Sequence, residues 1–554
     1  MESRVWHKQY DEGVPIDIDF EDVTIPEFLD RTAQKFGHRP AMFFMNKEIS
    51  YKEFGQHVND MAVSLQGLGV KEGSRVAIQM PNMPPTVIAY YAAMKLGAEV
   101  VLTNPLYTPR EIEHQWNDAD CEFAFVADFI FDQTISGMRD KVGIKHYIIA
   151  GIADYLGFPL NFLAPIKLKK QSPPLTAKVP ESNTVHDFRK LIKRASGSVA
   201  TVKRDMESVA VLQYTGGTTG VSKGATLTHR NLSCNIQQID NWFVGNEHGN
   251  EVILTALPIF HVFGMTACMN WSVYSGAAMA IVPNPRDFKA LVGVTVKRKV
   301  TLFLAVPAIF NALNHYPDIE NHDLSSVKFC FSGSAPLPID TMEQFTKRTA
   351  SVIVEGFGMS ETSPGTHVSP LGGTFKPGSV GIPVSNTDSR IVGIDDPTVE
   401  MPVGEEGELV VRGPQVMRGY WNRPDATAEV MTEDGFFKTG DVAVIQDDGY
   451  YRIVDRIKDM ILVSGFNVYP NEIEDVISGM DGVVEVGVVG VKGDDGNESV
   501  KAFVVLEEGA SVSEDAIKAY AKENLAGYKC PREVAFIDEL PKSAVGKILR
   551  RELR

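Results

Sequence analysis

Gln213-Tyr214-Thr215-Gly216-Gly217-Thr218-Thr219-Gly220-Val221-Ser222-Lys223-Gly224 stands near the middle of a 554-residue chain. The apolar run Val209-Ala210-Val211-Leu212 leads into it and predicts a buried strand. Glycines let the backbone aim several N–H groups at one point, threonine hydroxyls donate from the sides, and Lys223 adds a charge. That combination predicts a phosphate-holding loop. It is not a Walker A loop, because Gly224 and Ala225 follow the lysine where Ser or Thr would be needed. A plain Gly/Thr surface turn leaves so ordered a set of phosphate ligands unexplained.

Outward from this loop, strands and helices alternate. Residues 24–29 open a helix with Pro26 in its first turn. Residues 51–68 repeat apolar side chains at helical spacing (Phe54, Val58, Met61, Leu65), and Gly69 follows as a stop. Residues 75–80 and 99–102 predict strands, with a helix from Pro84-Pro85 to Gly97 between them. Strand-like runs return at 302–305, 327–331 and 352–355. The fold class is therefore α/β, in layers. From Thr387 the texture changes to short strands and turns at 389–392, 408–411 and 450–453, which predicts a β-barrel subdomain over about 387–454. The last hundred residues predict a compact α+β unit: a helix from about Asn471, strands near 483–489 and 502–505, and a helix over 514–524. The boundary reads at Asp455, giving domains 1–454 and 455–554.

Apolar content is 44% and charged content 23%, ordinary for a globular protein. A net charge of −17 argues against nucleic acid as a partner. The five cysteines include no C-x-x-C pair, which predicts reduced thiols. Met1-Glu2-Ser3-Arg4-Val5-Trp6-His7 has no apolar core of a signal peptide, and no apolar run reaches about 18 residues, so the expected location is cytoplasmic. Residues 150–185 interrupt the α/β pattern. An apolar, aromatic stretch (Tyr155 to Leu163) precedes Lys167, Lys169, Lys170 and Lys178. It reads either as a surface that meets the inner face of a membrane or a partner, or as an insertion packed on its own domain. A homodimer is left open.

Six further constellations carry chemistry. His261 sits in the apolar run 259–264, where the plain reading is a satisfied core histidine. Gly333, Ser334 and Ala335 form a strand-to-helix turn whose backbone can meet a base edge. Phe357, Gly358, Met359, Ser360 and Glu361 put a ring, a hydroxyl and a carboxylate at a strand exit. The ring can stack on a purine, and the carboxylate can hold Mg²⁺ together with substrate phosphates. Asp441 follows Lys438-Thr439-Gly440; alone it reads as a turn residue, yet a carboxylate can accept from both hydroxyls of a diol. Residues 455–474, with Asp455, Arg456 and Gly465, and the ending 540–550, with Lys547 on a Gly-tipped loop, complete the set.

Taken in this order, the motifs resemble those of the acyl-adenylate-forming (AMP-binding) enzymes over nearly the whole chain. Residues 460–474 and 540–553 resemble bacterial long-chain fatty-acid–CoA ligases most. Three departures show: Ser222 where many relatives have Pro before the lysine, Phe357 for Tyr, and Ser360 for Thr. The resemblance implies a large N-terminal domain with a small mobile C-terminal lid. It implies a fatty acid, ATP and coenzyme A as substrates, with Mg²⁺ as cofactor. Thr215, Gly216, Gly217, Thr218, Thr219, Gly220 and Lys223 would hold phosphates. Residues 333–335 and Phe357, Gly358, Met359 and Ser360 would hold adenine, and Asp441 the ribose. Glu361 would be the magnesium-side acid, and Arg456 a phosphate- or ribose-side cation. His261 would border the acyl carboxylate, Asp455 would be the hinge, and Gly465 would lie along the pantetheine arm. Lys547 would bridge carboxylate and α-phosphate while the adenylate forms. Rivals are an aryl- or other carboxylate–CoA ligase, an enzyme loading a carrier protein, and a nucleotide-binding regulator without catalysis. The last would be expected to have lost Lys547, Glu361 or Asp441. Met265, Met269, Trp271 and the helix over 231–242 read as an acyl tunnel or simply as core.

Overall fold

Two mostly parallel sheets carry the body of the molecule. The computed structural model describes residues 4–554 except 201, 203–204, 216–221, 350, 374–375, 464–465, 493–497, 508 and 544–545. The first sheet runs Val185–Asp187, His146–Ala150, Phe123–Ala127, Arg75–Gln79, Glu99–Leu102, Val209–Thr215, Lys223–Thr228. All its pairs are parallel except the last, where Val209–Thr215 turns back antiparallel into Lys223–Thr228. The second sheet has nine strands, with a parallel centre of Ala278–Ile281, Val252–Thr255, Leu302–Ala305, Phe329–Ser332 and Val352–Gly358. Runs such as Phe123–Ala127 and Leu302–Ala305 are buried at every position, as strands covered on both faces must be. Helix Pro84–Lys95 is buried from 84 to 94, which marks a helix enclosed between layers. Helix Tyr51–Gly67 ends as its sequence predicts, with Gly69 at φ +96°.

The β-barrel expected over 387–454 is, among the described residues, a four-stranded antiparallel sheet in linear order: Asp388–Val392, Gly407–Arg412, Phe437–Ile445, Tyr451–Arg456. Its last strand runs through Asp455 to Arg456, so the boundary read at Asp455 falls inside that strand. The C-terminal unit follows: a short hairpin, helices Pro470–Ser478 and Glu514–Asn524, and a sheet of Val483–Lys492, Glu498–Leu506 and Glu533–Phe536. Ile473, Ile477, Val488, Val504 and Ile517 belong to its own core, separate from the large core of the body.

The insertion carries helix Leu160–Lys169, packed on the body through Leu160, Ala164 and Leu168. Met265, Met269 and Trp271 are fully enclosed in the main core. All five cysteines are free thiols. No helix among the described residues is long and apolar enough to cross a membrane.

Candidate active site

Open parallel sheets gather ligands beyond the carboxyl ends of their strands. Thr215 ends one strand and pairs with Lys223 at the start of the next, so the two residues flank the stretch expected to hold phosphates. Gly216, Gly217, Thr218, Thr219 and Gly220, and also Gly465, lie outside the described residues. The Lys223 ammonium sits 5.1 Å from the centre of the Tyr420 ring. The Tyr420 hydroxyl donates to Glu361 Oε1 at 2.8 Å. One tyrosine thus joins the loop lysine to the expected magnesium-side acid. The Trp421 N–H donates to the Gly224 carbonyl at 2.7 Å, holding this segment along the loop's second strand. Sequence reasoning missed Tyr420; Gly419-Tyr420-Trp421, an aromatic pair after glycine in a loop, was the available signal.

The residues expected to hold adenine stand at two neighbouring strand exits, Phe329–Ser332 and Val352–Gly358. Ser334 adopts φ +76°, and the Leu337 N–H donates to Glu355 Oε1 at 3.0 Å. Burial pushes the Glu355 carboxyl up to about 7, against the pull of that hydrogen bond. Glu355, also missed from the sequence, therefore ties the 333–337 turn to the strand bearing Phe357. Phe357 is half-buried and meets His367 edge to face, with ring centres 6.0 Å apart. Gly358 is required: a Cβ there would lie 2.0 Å from the Pro364 carbonyl oxygen. The short turn Ser360–Thr362 then presents Glu361.

His261 is joined to the loop strand through Gln213, whose Nε2 donates to the Phe260 carbonyl at 3.0 Å. Crowding around its ring, and then the nearby Lys547 charge, push His261 down to about 4. Its imidazole is neutral near pH 7, and Nδ1 accepts from the Phe263 N–H at 3.3 Å.

Asp441 follows Gly440, which sits at φ +72° and donates its N–H to Glu408 Oε1 at 3.1 Å. Asp441 is buried. Its Oδ1 pairs with Arg456 Nε at 3.0 Å, while Oδ2 is enclosed with no hydrogen-bond partner among the described residues. Ser332 Oγ and Gln213 Oε1 share that condition. A buried carboxylate oxygen usually finds a donor, so Asp441 Oδ2, beside Arg456, can accept from a ligand hydroxyl. Burial pushes Asp441 up, and Arg456, Lys547 and Lys458 pull it back.

Lys547 reaches this cluster from the C-terminal unit. A Cβ added at Gly546 would sit 3.9 Å from Val306 of the body, so the tip of the loop touches the large domain. The stem of Lys547 is partly open while its ammonium is enclosed. Burial, then Arg456, push it down to about 8; Asp441 and Glu361 pull it up, and Lys458 pushes it down again. Two acids and three bases from both units thus converge. Lys458, itself pushed down by burial and Arg456, is the base sequence reasoning did not single out. Asp455 joins the units: its carboxylate accepts from the Arg456 N–H at 2.7 Å and from the Asn471 N–H, at the start of helix Pro470–Ser478, at 2.8 Å.

The chain belongs to the family of AMP-binding enzymes: the AMP-binding enzyme model matches residues 29–421 and the C-terminal domain model residues 472–547. Over 553 residues the chain is 39% identical to the long-chain-fatty-acid–CoA ligase of Bacillus subtilis, covering 100% of this chain and 98% of that protein. Over 561 residues it is 40% identical to the corresponding ligase of Salmonella typhimurium, with the same coverage. Among solved structures it is similar to ATP-bound MatB from Rhodopseudomonas palustris, with a TM-score of 0.83 at 29% identity over 96% of this chain and 98% of that one. The apo form of the same protein matches less well, at 0.74.

Proposed function

We propose that the chain is an ATP-dependent fatty acyl-CoA synthetase acting on a long- or medium-chain fatty acid. In the first half-reaction a carboxylate oxygen attacks the α-phosphorus of ATP, the bond to the bridging oxygen breaks, and pyrophosphate leaves. In the second, the coenzyme A sulfur attacks the acyl carbonyl, and AMP leaves with the former carboxylate oxygen. The observation that carries this reading is the unpartnered Asp441 oxygen beside Arg456, with the enclosed Lys547 ammonium in the same cluster. A ribose diol supplies the missing donors, and a phosphorane-like oxyanion supplies the charge that Lys547 lacks.

The chain's own groups divide the work. Lys223 and the hydroxyl-rich loop hold the departing phosphates, Phe357 stacks on the base, and neutral His261 borders the carboxylate without competing with it for a proton. Glu361, oriented by Tyr420, would hold Mg²⁺ with substrate phosphates as its remaining ligands. When bound, that ion neutralises the pyrophosphate. The C-terminal unit then swings about Asp455, withdrawing Lys547 and bringing Gly465 to the pantetheine arm, a domain-closure device that lets one pocket serve two reactions.

The test is ATP–pyrophosphate exchange across fatty acids of graded length, with benzoate and cinnamate beside them, each with and without coenzyme A. Exchange should rise with chain length and need no coenzyme A. Exchange driven best by an aryl acid, or none with any acid, would overturn the reading.

A further inference from the structure

The helix Leu160–Lys169 is apolar on two opposite faces, and only one of them is covered. Leu160, Ala164 and Leu168 recur every four residues and pack on the body. Phe162 and Ile166, out of step by two, project the other way and are 67% and 60% exposed. Phe158 (82%) and Leu163 (54%) extend the patch, and the Phe158 and Phe162 rings meet edge to face at 6.3 Å. The patch is held firmly. The Asn46 side chain accepts from the Gly157 N–H and donates to the Gly157 carbonyl, both at 2.9 Å, fixing the turn from which Phe158 projects.

Its charge identifies the partner. Lys167, Lys169 and Lys170 flank the exposed apolar side chains, in a chain whose net charge is −17. Lys169 and Lys178 also line a shallow cleft of about 470 Å³ beside the helix, with Pro173, Pro174 and Asp132. Exposed aromatics ringed by lysines suit an interface that is apolar inside and anionic at its rim, and lysine stems are long enough to let the rings sink while the ammonium groups stay with headgroups. A second copy of an acidic protein offers the anionic rim but not a fluid apolar layer for projecting rings.

We propose that this face docks the protein on the surface of an anionic lipid bilayer, with the rings of Phe158 and Phe162 and the side chain of Ile166 entering the headgroup–acyl boundary. The helix lies in the plane of the surface and does not cross it.

The test is co-sedimentation of the full chain with vesicles of phosphatidylcholine alone or with a third of phosphatidylglycerol. Wild type should bind the anionic vesicles, and binding should fall as salt rises. Phe162→Ser with Ile166→Ser should weaken binding by about tenfold or more. Lys169→Gln with Lys170→Gln should weaken it by roughly fivefold per lysine, on anionic vesicles alone. The exchange rate on a soluble medium-chain acid should stay unchanged in all variants, which shows that they fold. Wild type left in the supernatant with both vesicle types would overturn the proposal, as would variants that bind as well as wild type. Loss of a dimer in Phe162→Ser/Ile166→Ser, seen by light scattering without vesicle binding, would assign the face to a second copy instead.

Discussion

The body and the C-terminal unit build their share of the site in opposite ways. The body's groups stand at strand exits of large sheets. Thr215 and Phe357 stand at the ends of strands, and Glu361 just beyond one; each strand is held by a parallel neighbour on one side, an antiparallel one on the other, and one extensive core. Lys547 instead rides on a Gly-tipped loop near the chain's end, carried by a unit with a small core of its own. Recognition of a nucleotide needs rigid placement, which the large core provides. A cation needed for only one of two reactions is better placed on an element that can leave, and low local stability suits elements that move.

The largest effect expected from this contrast is on Lys547. Lys547→Ala should lower adenylate formation on the order of 10²–10³-fold, the usual loss for one transition-state donor, while thioester formation from supplied acyl-AMP stays largely intact. Equal losses in both half-reactions would place the lysine in the permanent site and break the contrast. Next in size is the fastening of the lid itself. Arg550 is largely buried and binds Glu474 at 2.8 Å, Asn471 at 2.6 Å and Asp459 at 3.5 Å. Burial pushes Glu474 up to about 6 in spite of Arg550. Arg550→Ala strands those acids, a loss of about 3–5 kcal/mol confined to the small unit. Amide exchange should quicken in Val483–Lys492 and stay slow in Phe123–Ala127. Equal quickening in both would mean that the two cores unfold as one.

The third test lies on the seam. Asp441→Asn keeps the shape but removes the charge that faces Arg456, so the KM for ATP should rise about 10–100-fold, the range for a hydrogen bond to a charged group. Isothermal titration with AMP checks that the loss is in binding. Unchanged nucleotide affinity would separate the unpartnered Asp441 oxygen from the ribose.

The same contrast explains what the sequence could reveal. Strands in the body were legible because full burial leaves unbroken apolar runs, as at 100–102 and 302–305, and helices because Phe54, Val58, Met61 and Leu65 repeat on one face. The motif residues were legible through resemblance and local chemistry. What periodicity alone does not display is contact across the chain. Tyr420 bonds Glu361 from 59 positions away, and Lys547 meets Asp441 from more than a hundred. Lys458 carries no signal of its own in the sequence, and only the fold encloses it beside Arg456. Over 387–454 alternation identified the strands, but how the edges of a sheet meet depends on tilt and stagger that no short pattern records.

The smallest effect is a matter of protons, and it discriminates most finely. In the proposed adenylation step Lys547 acts as a cation, and its enclosure beside Arg456 and Lys458 brings it down to about 8. The active form is therefore held below about pH 8 and lost as pH rises through it. The kcat/KM for adenylate formation, which reports the enzyme before substrate binds, should halve near pH 8 and fall further above it. The kcat limb should lie at higher pH, because bound phosphates favour the ammonium. Thioester formation from supplied acyl-AMP should lack the limb, since that step does not use the lysine. Lys547→Arg supplies a cation that does not titrate in this range, so the limb should vanish even where the rate is reduced. A limb that survives in Lys547→Arg would belong to a group of the body, and the division of labour between a fixed site and a travelling cation would have to be redrawn around that group.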